Sequence, residues 1–199
     1  MWGMRFVEII VIAMLAAMGC GGEGDLPSNP SEGNLTPSGN KAPAQVNPSA
    51  KADPWDPDKP ITHAQPKLRT LKLNVGFPPR EITAEMAISQ QQIATGMMHR
   101  KKLEENEGML FVFPQAKKVG FYMRNTMVPL TAAYLGSSGV IMELHDLEPL
   151  NETPVEAQSE LVRFVLEMPR DWFKVNGVTE GQKVIAEKGK LLEVFFPSE

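Results

Sequence analysis

The stretch GMLFVFPQAKKVGFYMRNTMVPL, residues 108–130, decides the fold of this chain. It holds two apolar runs separated by a short basic loop. Runs rich in aromatic and branched aliphatic residues, bounded by turn residues, favour β-strands. We therefore predict that the two runs form a pair of strands that nucleates the core, with the polar step Arg124-Asn125-Thr126 at the end of the second run.

The charge balance argues against a nucleic-acid partner. The 199 residues carry 20 Lys+Arg and 24 Asp+Glu, a formal net charge of -4, and the sequence pI is about 5.5. From Lys67 onward there are 16 basic and 17 acidic residues. Because nucleic-acid binding needs a basic surface that neutralises phosphates, no such partner is predicted.

The N-terminal segment has the pattern of an export signal. Arg5 precedes an apolar run at residues 9–18, and small residues follow it. A basic start, a short apolar run and a small-residue cleavage site are typical of a secretory signal peptide, which we assign to residues 1–19. The run is too short to span a bilayer comfortably.

Cys20 is the only cysteine of the chain and ends this segment. Residues 17–20, AMGC, resemble a bacterial lipobox, in which the cysteine thiol receives a diacylglyceryl group and becomes the mature N-terminus. We predict lipidation at Cys20, with the lipid bilayer as partner and the cell envelope as location, on the periplasmic or the outer-surface side. The alternative is an incidental cysteine. A single cysteine excludes an intrachain disulfide, a multi-thiolate zinc site and a Cys-His catalytic pair recognisable from sequence.

Residues 20–66 differ in composition from the C-terminal two thirds of the chain. Nine of the 17 prolines lie in residues 21–66, where Trp55 is the only aromatic residue. Such a segment cannot bury enough apolar surface to offset the entropy of ordering it. We predict a disordered tether with a root-mean-square reach of roughly 40 Å. A single globular domain, residues 67–199, follows it.

Alternating apolar residues and turn signals in this domain predict strands and two short helices. Strands are predicted as one hairpin at 71–75 and 82–88, a second at 130–135 and 140–147, a single strand at 161–168, and a last hairpin at 183–186 and 191–196. Helices are predicted at 90–95, capped by Ser89 and ended by Gly96, and at 169–176. The predicted fold is mainly β, α+β at the margin, as a compact β-sandwich or open barrel.

Four motifs in order resemble the family DUF192, a domain of unknown function. They are GMMHR at 96–100, NEGMLFVF at 106–113, FYMRNTMVPL at 121–130 and LEMP at 166–169. The resemblance covers nearly all of residues 71–194 and implies a compact β-sandwich or open barrel with small helices, often exported. It implies no activity, since none is established for the family as a class. Two positions depart from the family's pattern: Thr131 stands where an aspartate is common, so a ligand or metal role of that acid is not carried over, and His99 stands where an aromatic residue is common.

Arg100, Arg124, Asn125 and Thr126 are the candidate binding residues. A guanidinium and an amide hold carboxylates or sugar hydroxyls through hydrogen bonds of fixed geometry. These side chains are therefore predicted to line a cleft for a small polar or anionic ligand or a partner's peptide.

The competing interpretation of the same residues is structural. Asn125 and Thr126 would hydrogen-bond the backbone of the turn before Pro129, as short polar side chains in turns commonly do. Arg100 would pair with a nearby acid, Glu104 or Glu107. The sequence favours this structural interpretation, because turn-capping Asn and Thr are common.

The remaining polar residues do not form a recognisable centre. His145 and Asp146 are adjacent on a predicted strand, so their side chains point to opposite faces. His99, His145 and Glu107 are the one combination with metal-ligating chemistry, but histidines so distant in sequence are usually unrelated. We predict no metal and no cofactor. The methionines near the opening stretch are assigned to the core.

These observations predict a lipid-anchored, extracytoplasmic, non-catalytic module that binds a small ligand or an envelope protein. An enzyme is disfavoured but stays open: a hydrolase of envelope polymers would use Glu107 or Asp146 as acid/base and would need paired carboxylates about 5 to 10 Å apart in one cleft. A purely structural scaffold is the third interpretation, and it predicts no concave polar pocket.

Overall fold

A computed structural model describes residues 59–197. The predicted signal peptide, the lipidation site Cys20 and the tether up to residue 58 lie outside the described residues. The elements, in chain order, are β1 (Thr70–Val75), β2 (Arg80–Ala87), α1 (Gln90–Thr95), β3 (Glu107–Lys117), β4 (Gly120–Phe121), β5 (Leu130–Leu135), β6 (Ile141–Leu147), β7 (Val155–Glu156), β8 (Val162–Pro169), α2 (Trp172–Val175), β9 (Val184–Ala186) and α3 (Leu191–Phe195).

Seven strands form one curled sheet in the order β6-β5-β8-β3-β2-β1-β9. The two edge strands approach each other at one end of the sheet, where Val140 and Lys183 form an antiparallel bridge. Hydrogen bonds from Ile141 N to the Gln182 carbonyl and from Val184 N to the Gly139 carbonyl, both 2.8 Å, extend this closure. The mainly β prediction is confirmed, in its open-barrel form.

Several local predictions are confirmed by the element bounds. β1 and β2 form the first hairpin, and β5 and β6 form the second. Ser89 caps α1 in a reciprocal arrangement with Gln92: the serine side chain accepts from the Gln92 N–H, and the Gln92 side chain accepts from the Ser89 N–H. Such a capping box satisfies donors that the first helical turn leaves unpaired.

The strand pair predicted within residues 108–130 is wrong. β3 does not pair with β4; it lies between β2, to which it is parallel, and β8, to which it is antiparallel. β4 forms a separate two-stranded sheet with β7. The prediction failed because β3 pairs with β2 rather than with the next strand in the chain. This parallel pairing needs a crossover connection, and α1 with its following loop provides it.

The last predicted hairpin is also wrong in its second half. β9 pairs with β1 instead, and residues 191–195 form α3, which makes three short helices rather than two. Leu191 is buried, and Val194 and Phe195 pack against the same core cluster. The i, i+3, i+4 spacing of these three residues is helical, and short apolar runs of this kind suit either element by pattern alone.

The curled sheet is covered on both faces. All seven strands contribute to the cluster inside the curl, where α2 and α3 add Trp172, Phe173 and Leu191. A second cluster lies on the outer face of the central strands and includes Phe111 and Tyr134. Residues that alternate along β3 and β8 therefore belong to opposite cores, which is why both strands are rich in apolar residues.

Candidate functional site

Arg100 is held inside the domain by a carboxylate. Its two terminal nitrogens donate to the two oxygens of Glu85, at 2.7 and 2.9 Å. Leu68 adds its backbone N–H to the same carboxylate at 2.7 Å. Burial alone would raise the pKa of Glu85, but the hydrogen bonds outweigh it and hold that pKa below its usual value. The prediction that Arg100 pairs with Glu104 or Glu107 is wrong. Each of these two acids pairs with a lysine instead.

Arg124 points away from the domain. Its Nε and Nη2 donate to one carboxylate oxygen of Glu152, at 3.1 and 2.9 Å. The guanidinium also lies 5.6 Å from the centre of the Tyr122 ring. Both members of the ion pair are more than half exposed. Solvent therefore screens the pair, and Arg124 can exchange Glu152 for another acid at little cost.

Asn125 and Thr126 belong to a turn that hydrogen-bonds its own backbone. Thr126 is buried, its N–H donates to the Met123 carbonyl at 3.0 Å, and its hydroxyl donates to the Arg124 carbonyl at 3.3 Å. The Asn125 carbonyl accepts from His99 N at 2.7 Å. This contact brings Asn125 close to the turn before Arg100, whereas Arg124 faces outward. A binding role for the four residues stays a prediction.

Three large side chains with exposed apolar surface lie on the loop that carries Arg124 and on the loop bonded to it. Tyr122, Met127 and Leu150 are 42, 53 and 59% exposed, so the assignment of Met127 to the core is wrong. The loops that carry them are joined by hydrogen bonds from Met123 N to the Asn151 carbonyl, 2.7 Å, and from Leu150 N to the Thr126 carbonyl, 3.0 Å. We call Tyr122, Arg124, Met127 and Leu150 the loop surface. Its side chains are presented by hydrogen-bonded turns rather than by free loop ends.

The two carboxylates considered for hydrolysis do not face one cleft. Glu107 shares the outer face of the sheet with the second core cluster, whereas Asp146 lies on the inner side, where it accepts from the Thr131 hydroxyl at 2.7 Å. Three strand spacings separate β3 from β6, or roughly 14 Å at 4.8 Å per spacing. Glu107 and Asp146 therefore cannot act as a carboxylate pair.

Glu167 is the polar residue that sequence reasoning missed. It is 4% exposed, and burial raises its pKa to about 8. Strand register places Met109 on one side of it and Ala132 on the other. The available signal was a single acid inside the otherwise apolar run of β8. A perturbed buried carboxyl is a candidate functional group, and burial favours the neutral form of this one.

The histidines make internal contacts. His145 Nε2 lies 2.9 Å from Glu143 Oε2, and Glu143 also accepts from the backbone N–H groups of Gln158 and Ser159, each at 2.9 Å. His99 Nε2 lies 2.7 Å from the Ile61 carbonyl. Within residues 59–197, no group of three or more His, Cys, Asp and Glu side chains is arranged to hold a metal ion.

The part of the chain that the structure describes has no helix long and apolar enough to cross a bilayer.

The last residues assigned to the tether contact the domain. Ile61 accepts hydrogen bonds, and Gln65 donates to the end of α1. Contacts with the domain thus begin six residues before the predicted start at Lys67.

Two solved structures resemble this fold. One is the crystal structure of a proposed transcription regulator from Sinorhizobium meliloti 1021, with 27% sequence identity and a TM-score of 0.58, over 62% of this chain and 98% of that one. The other is a protein of unknown function from Novosphingobium aromaticivorans DSM 12444, with 28% identity and a TM-score of 0.57, over 63% of this chain and 91% of that one. A search of curated proteins found no match.

The family model points to the same relationship. DUF192, described as an uncharacterized ACR, matches residues 71–186. The match runs from β1 to the last residue of β9, so it includes every strand of the curled sheet. It also includes the loops that carry Arg124 and Leu150, and the buried Glu167. The chain therefore belongs to the DUF192 family.

Proposed function

We propose that this protein is a lipid-anchored module of the bacterial cell envelope that binds an envelope protein through the loop surface and catalyses no reaction. Acylated Cys20 would hold it at the bilayer, and the tether would carry the domain away from the lipid. The observation that carries the binding proposal is the exposure of Tyr122, Met127 and Leu150 on two hydrogen-bonded loops, one of which carries the outward-facing Arg124. Single exposed apolar residues are ordinary, but a group of them marks an interaction site.

A protein partner fits this surface better than a small ligand. Aromatic residues, methionine and arginine are the types enriched at protein–protein interfaces. The exposed placement of the four side chains offers contact area rather than an enclosing pocket, and small ligands need enclosure. Arg124 and Glu152 give the surface one charge of each sign, so a partner can pair with either by displacing the other.

The name of the Sinorhizobium relative suggests a role in transcription, which we do not extend to this chain. The region from Lys67 onward has 16 basic and 17 acidic residues. Most of the arginines with described contacts, such as Arg100 and Arg170, are already paired with acids. A DNA-binding surface would need cations free to neutralise phosphates.

The anchor is tested by Cys20→Ser. Because the thiol is the acylation site, this variant is expected to move from the membrane fraction to the soluble fraction after cell lysis and ultracentrifugation. Metabolic labelling with a radioactive fatty acid is expected to mark the wild type and not the variant. If the wild-type protein carries no lipid, or if Cys20→Ser stays in the membrane fraction, the anchor proposal is wrong.

The loop surface is tested by Leu150→Asp combined with Met127→Asp. A carboxylate at each position would have to be desolvated at the interface, which costs several kcal/mol in total. The wild-type protein, solubilised from membranes in mild detergent, is expected to migrate on native gels in a complex larger than the monomer. The double variant is expected to migrate as the monomer.

Leu161→Asp is the matched control for this experiment. Leu161 is 67% exposed and precedes β8, whose other end pairs with Leu130 beside the loop surface. Eight residues of extended chain place it roughly 25 Å away. The control is expected to keep the complex. Loss of the complex in both variants, or in neither, would contradict a specific role for the loop surface.

A further inference from the structure

Two turns with unusual backbone conformations meet beside the end of α1. His99 and Asn125 have φ angles of 60° and 54°, in the left-handed region that residues other than glycine rarely adopt. The His99 N–H donates to the Asn125 carbonyl at 2.7 Å, so the two turns are fixed to each other. Strained residues of this kind cluster at ligand clamps and active sites.

The side chains of these two residues converge on one oxygen atom. His99 Nε2 lies 2.7 Å from the Ile61 carbonyl, and Asn125 Nδ2 lies 3.4 Å from the same oxygen. A carbonyl only accepts hydrogen bonds, so the ring nitrogen of His99 must carry the proton. We call His99 and Asn125 the clamp, since together they bind a single peptide carbonyl.

A second contact lies four residues along the same segment. The Gln65 side-chain amide donates to the carbonyls of Gln92 at 3.3 Å and of Gly96 at 2.9 Å. The Gln92 carbonyl also accepts from the Gly96 N–H at 2.9 Å, whereas the Gly96 carbonyl lies past the end of α1, where helical donors are lacking. The domain thus offers hydrogen-bond donors at the clamp and acceptors at the end of α1. The segment supplies an acceptor, the Ile61 carbonyl, and a donor, the Gln65 amide.

The segment that makes these contacts is separate from the family fold. The DUF192 match begins at residue 71, whereas the contacts come from Ile61 and Gln65. Residues 61–66 lie outside the helices and strands of the domain.

We propose that the clamp and the C-terminal end of α1 form a peptide-binding site, which residues 61–65 of the chain's own tether fill. The ligand class is a short non-helical peptide that offers a backbone carbonyl and, four residues later, a glutamine side chain. The bound segment fixes the point at which the tether leaves the domain. This site shares the turn of residues 124–126 with the loop surface but uses other side chains, and it does not depend on lipidation of Cys20.

Binding within one chain explains how so few hydrogen bonds hold the segment. Each contributes about 1 kcal/mol, which is weak for a free peptide. A segment joined to the domain by a short connection has an effective concentration on the order of millimolar. The tether is therefore expected to fill the site in the intact protein and to exclude a free peptide of the same sequence.

The test measures binding of a fluorescein-labelled peptide, KPITHAQPKL, which has the sequence of residues 59–68. It uses the full-length chain with Cys20→Ser and a version of it in which residues 61–66 are replaced by glycine and serine. Fluorescence anisotropy is expected to show binding to the replaced chain at least about twofold tighter than to the unreplaced one, because the tether no longer competes for the site.

The matched variant adds His99→Gly to the replaced chain. Glycine accepts the positive φ of this position without strain, and it removes the donor. Peptide affinity is expected to fall by about fivefold, the loss of one hydrogen bond. Equal binding to replaced and unreplaced chains, or binding that His99→Gly leaves unchanged, would overturn the proposal.

A second measurement needs no added peptide and no replaced segment. Trypsin cleaves after Lys67, immediately beyond the bound segment. In the full-length chain, His99→Gly or Gln65→Ala is expected to speed cleavage at that bond several-fold, followed by mass spectrometry, while the melting temperature of the domain changes little. An unchanged cleavage rate in both variants would show that the segment is not held by these contacts, and the proposal would be wrong.

Discussion

Gly108→Ala is expected to lower the free energy of unfolding by roughly 3 kcal/mol, the upper part of the range for an overpacked core. Gly108 lies in β3 against β8. A Cβ atom there would come within 2.6 Å of the Glu167 carbonyl oxygen and 2.5 Å of Met168 Sδ. The methionine side chain can move, but the carbonyl belongs to the backbone of β8. Alanine therefore forces the two central strands of the sheet apart.

Urea denaturation followed by circular dichroism measures this loss, as a lower midpoint with an unchanged m-value. Gly136→Ala is the control, because the nearest atoms to a Cβ at Gly136 belong to the flexible Met142 side chain, at 3.4 and 4.0 Å. A change below about 1 kcal/mol is expected for the control. Similar midpoints for the two variants would mean that β3 and β8 are not packed as closely as the structure has them.

Glu167→Gln is expected to change how stability depends on pH. Burial raises the pKa of Glu167 to about 8 in the folded protein, above the ordinary value of 4.5. At a pH between these two values, unfolding releases a proton. The contribution of Glu167 to the free energy of unfolding is therefore fully present below about pH 4.5 and is lost as pH rises. The slope is at most about 1.4 kcal/mol per pH unit and levels off above pH 8.

Free energies of unfolding measured from pH 5 to pH 9 test this expectation. The wild type is expected to lose several kcal/mol across the range, and Glu167→Gln is expected to lose much less, because glutamine carries no proton to release. Glu105→Gln, at an exposed position, should keep the wild-type slope. If Glu167→Gln also retains the wild-type slope, a group other than Glu167 controls the pH dependence of stability.

Local chemistry made part of this fold predictable. The second hairpin follows from the Gly136-Ser137-Ser138-Gly139 turn between two apolar runs, and β5 has the predicted bounds. Helix α1 follows from Ser89 at its start and Gly96 just past its end. In each case the pairing partner or the cap lies within a few residues, so pattern and turn chemistry suffice.

Pairings between distant segments were not predictable in the same way. The local pattern of apolar and turn residues does not indicate the parallel pairing of β2 with β3 or the pairing of β9 with β1. The helix α3 was missed because its five residues are too few for their helical spacing to be told from a strand. Tertiary packing decides between a strand and a helix in so short an apolar run.

The candidate residues divide along the same line. The contact between Arg100 and Glu85 joins residues 15 positions apart, and the contact between His99 and Asn125 joins turns 26 positions apart. Neither is visible in one sequence. Glu167 was visible, as an acid within an apolar strand, but its environment required the neighbouring strands to be placed. Arg124 was identified from sequence, although the apolar residues that surround it were not.

Site-specific photo-cross-linking from the loop surface tests the central proposal most directly. A photoreactive amino acid at position 150, in cells that express the otherwise unchanged lipid-anchored protein, is expected to give one discrete adduct with an envelope protein. The same amino acid at position 161 is expected to give none, and Cys20→Ser is expected to reduce the adduct at position 150. If position 150 gives no adduct, or the same adducts as position 161, the loop surface is not the binding site.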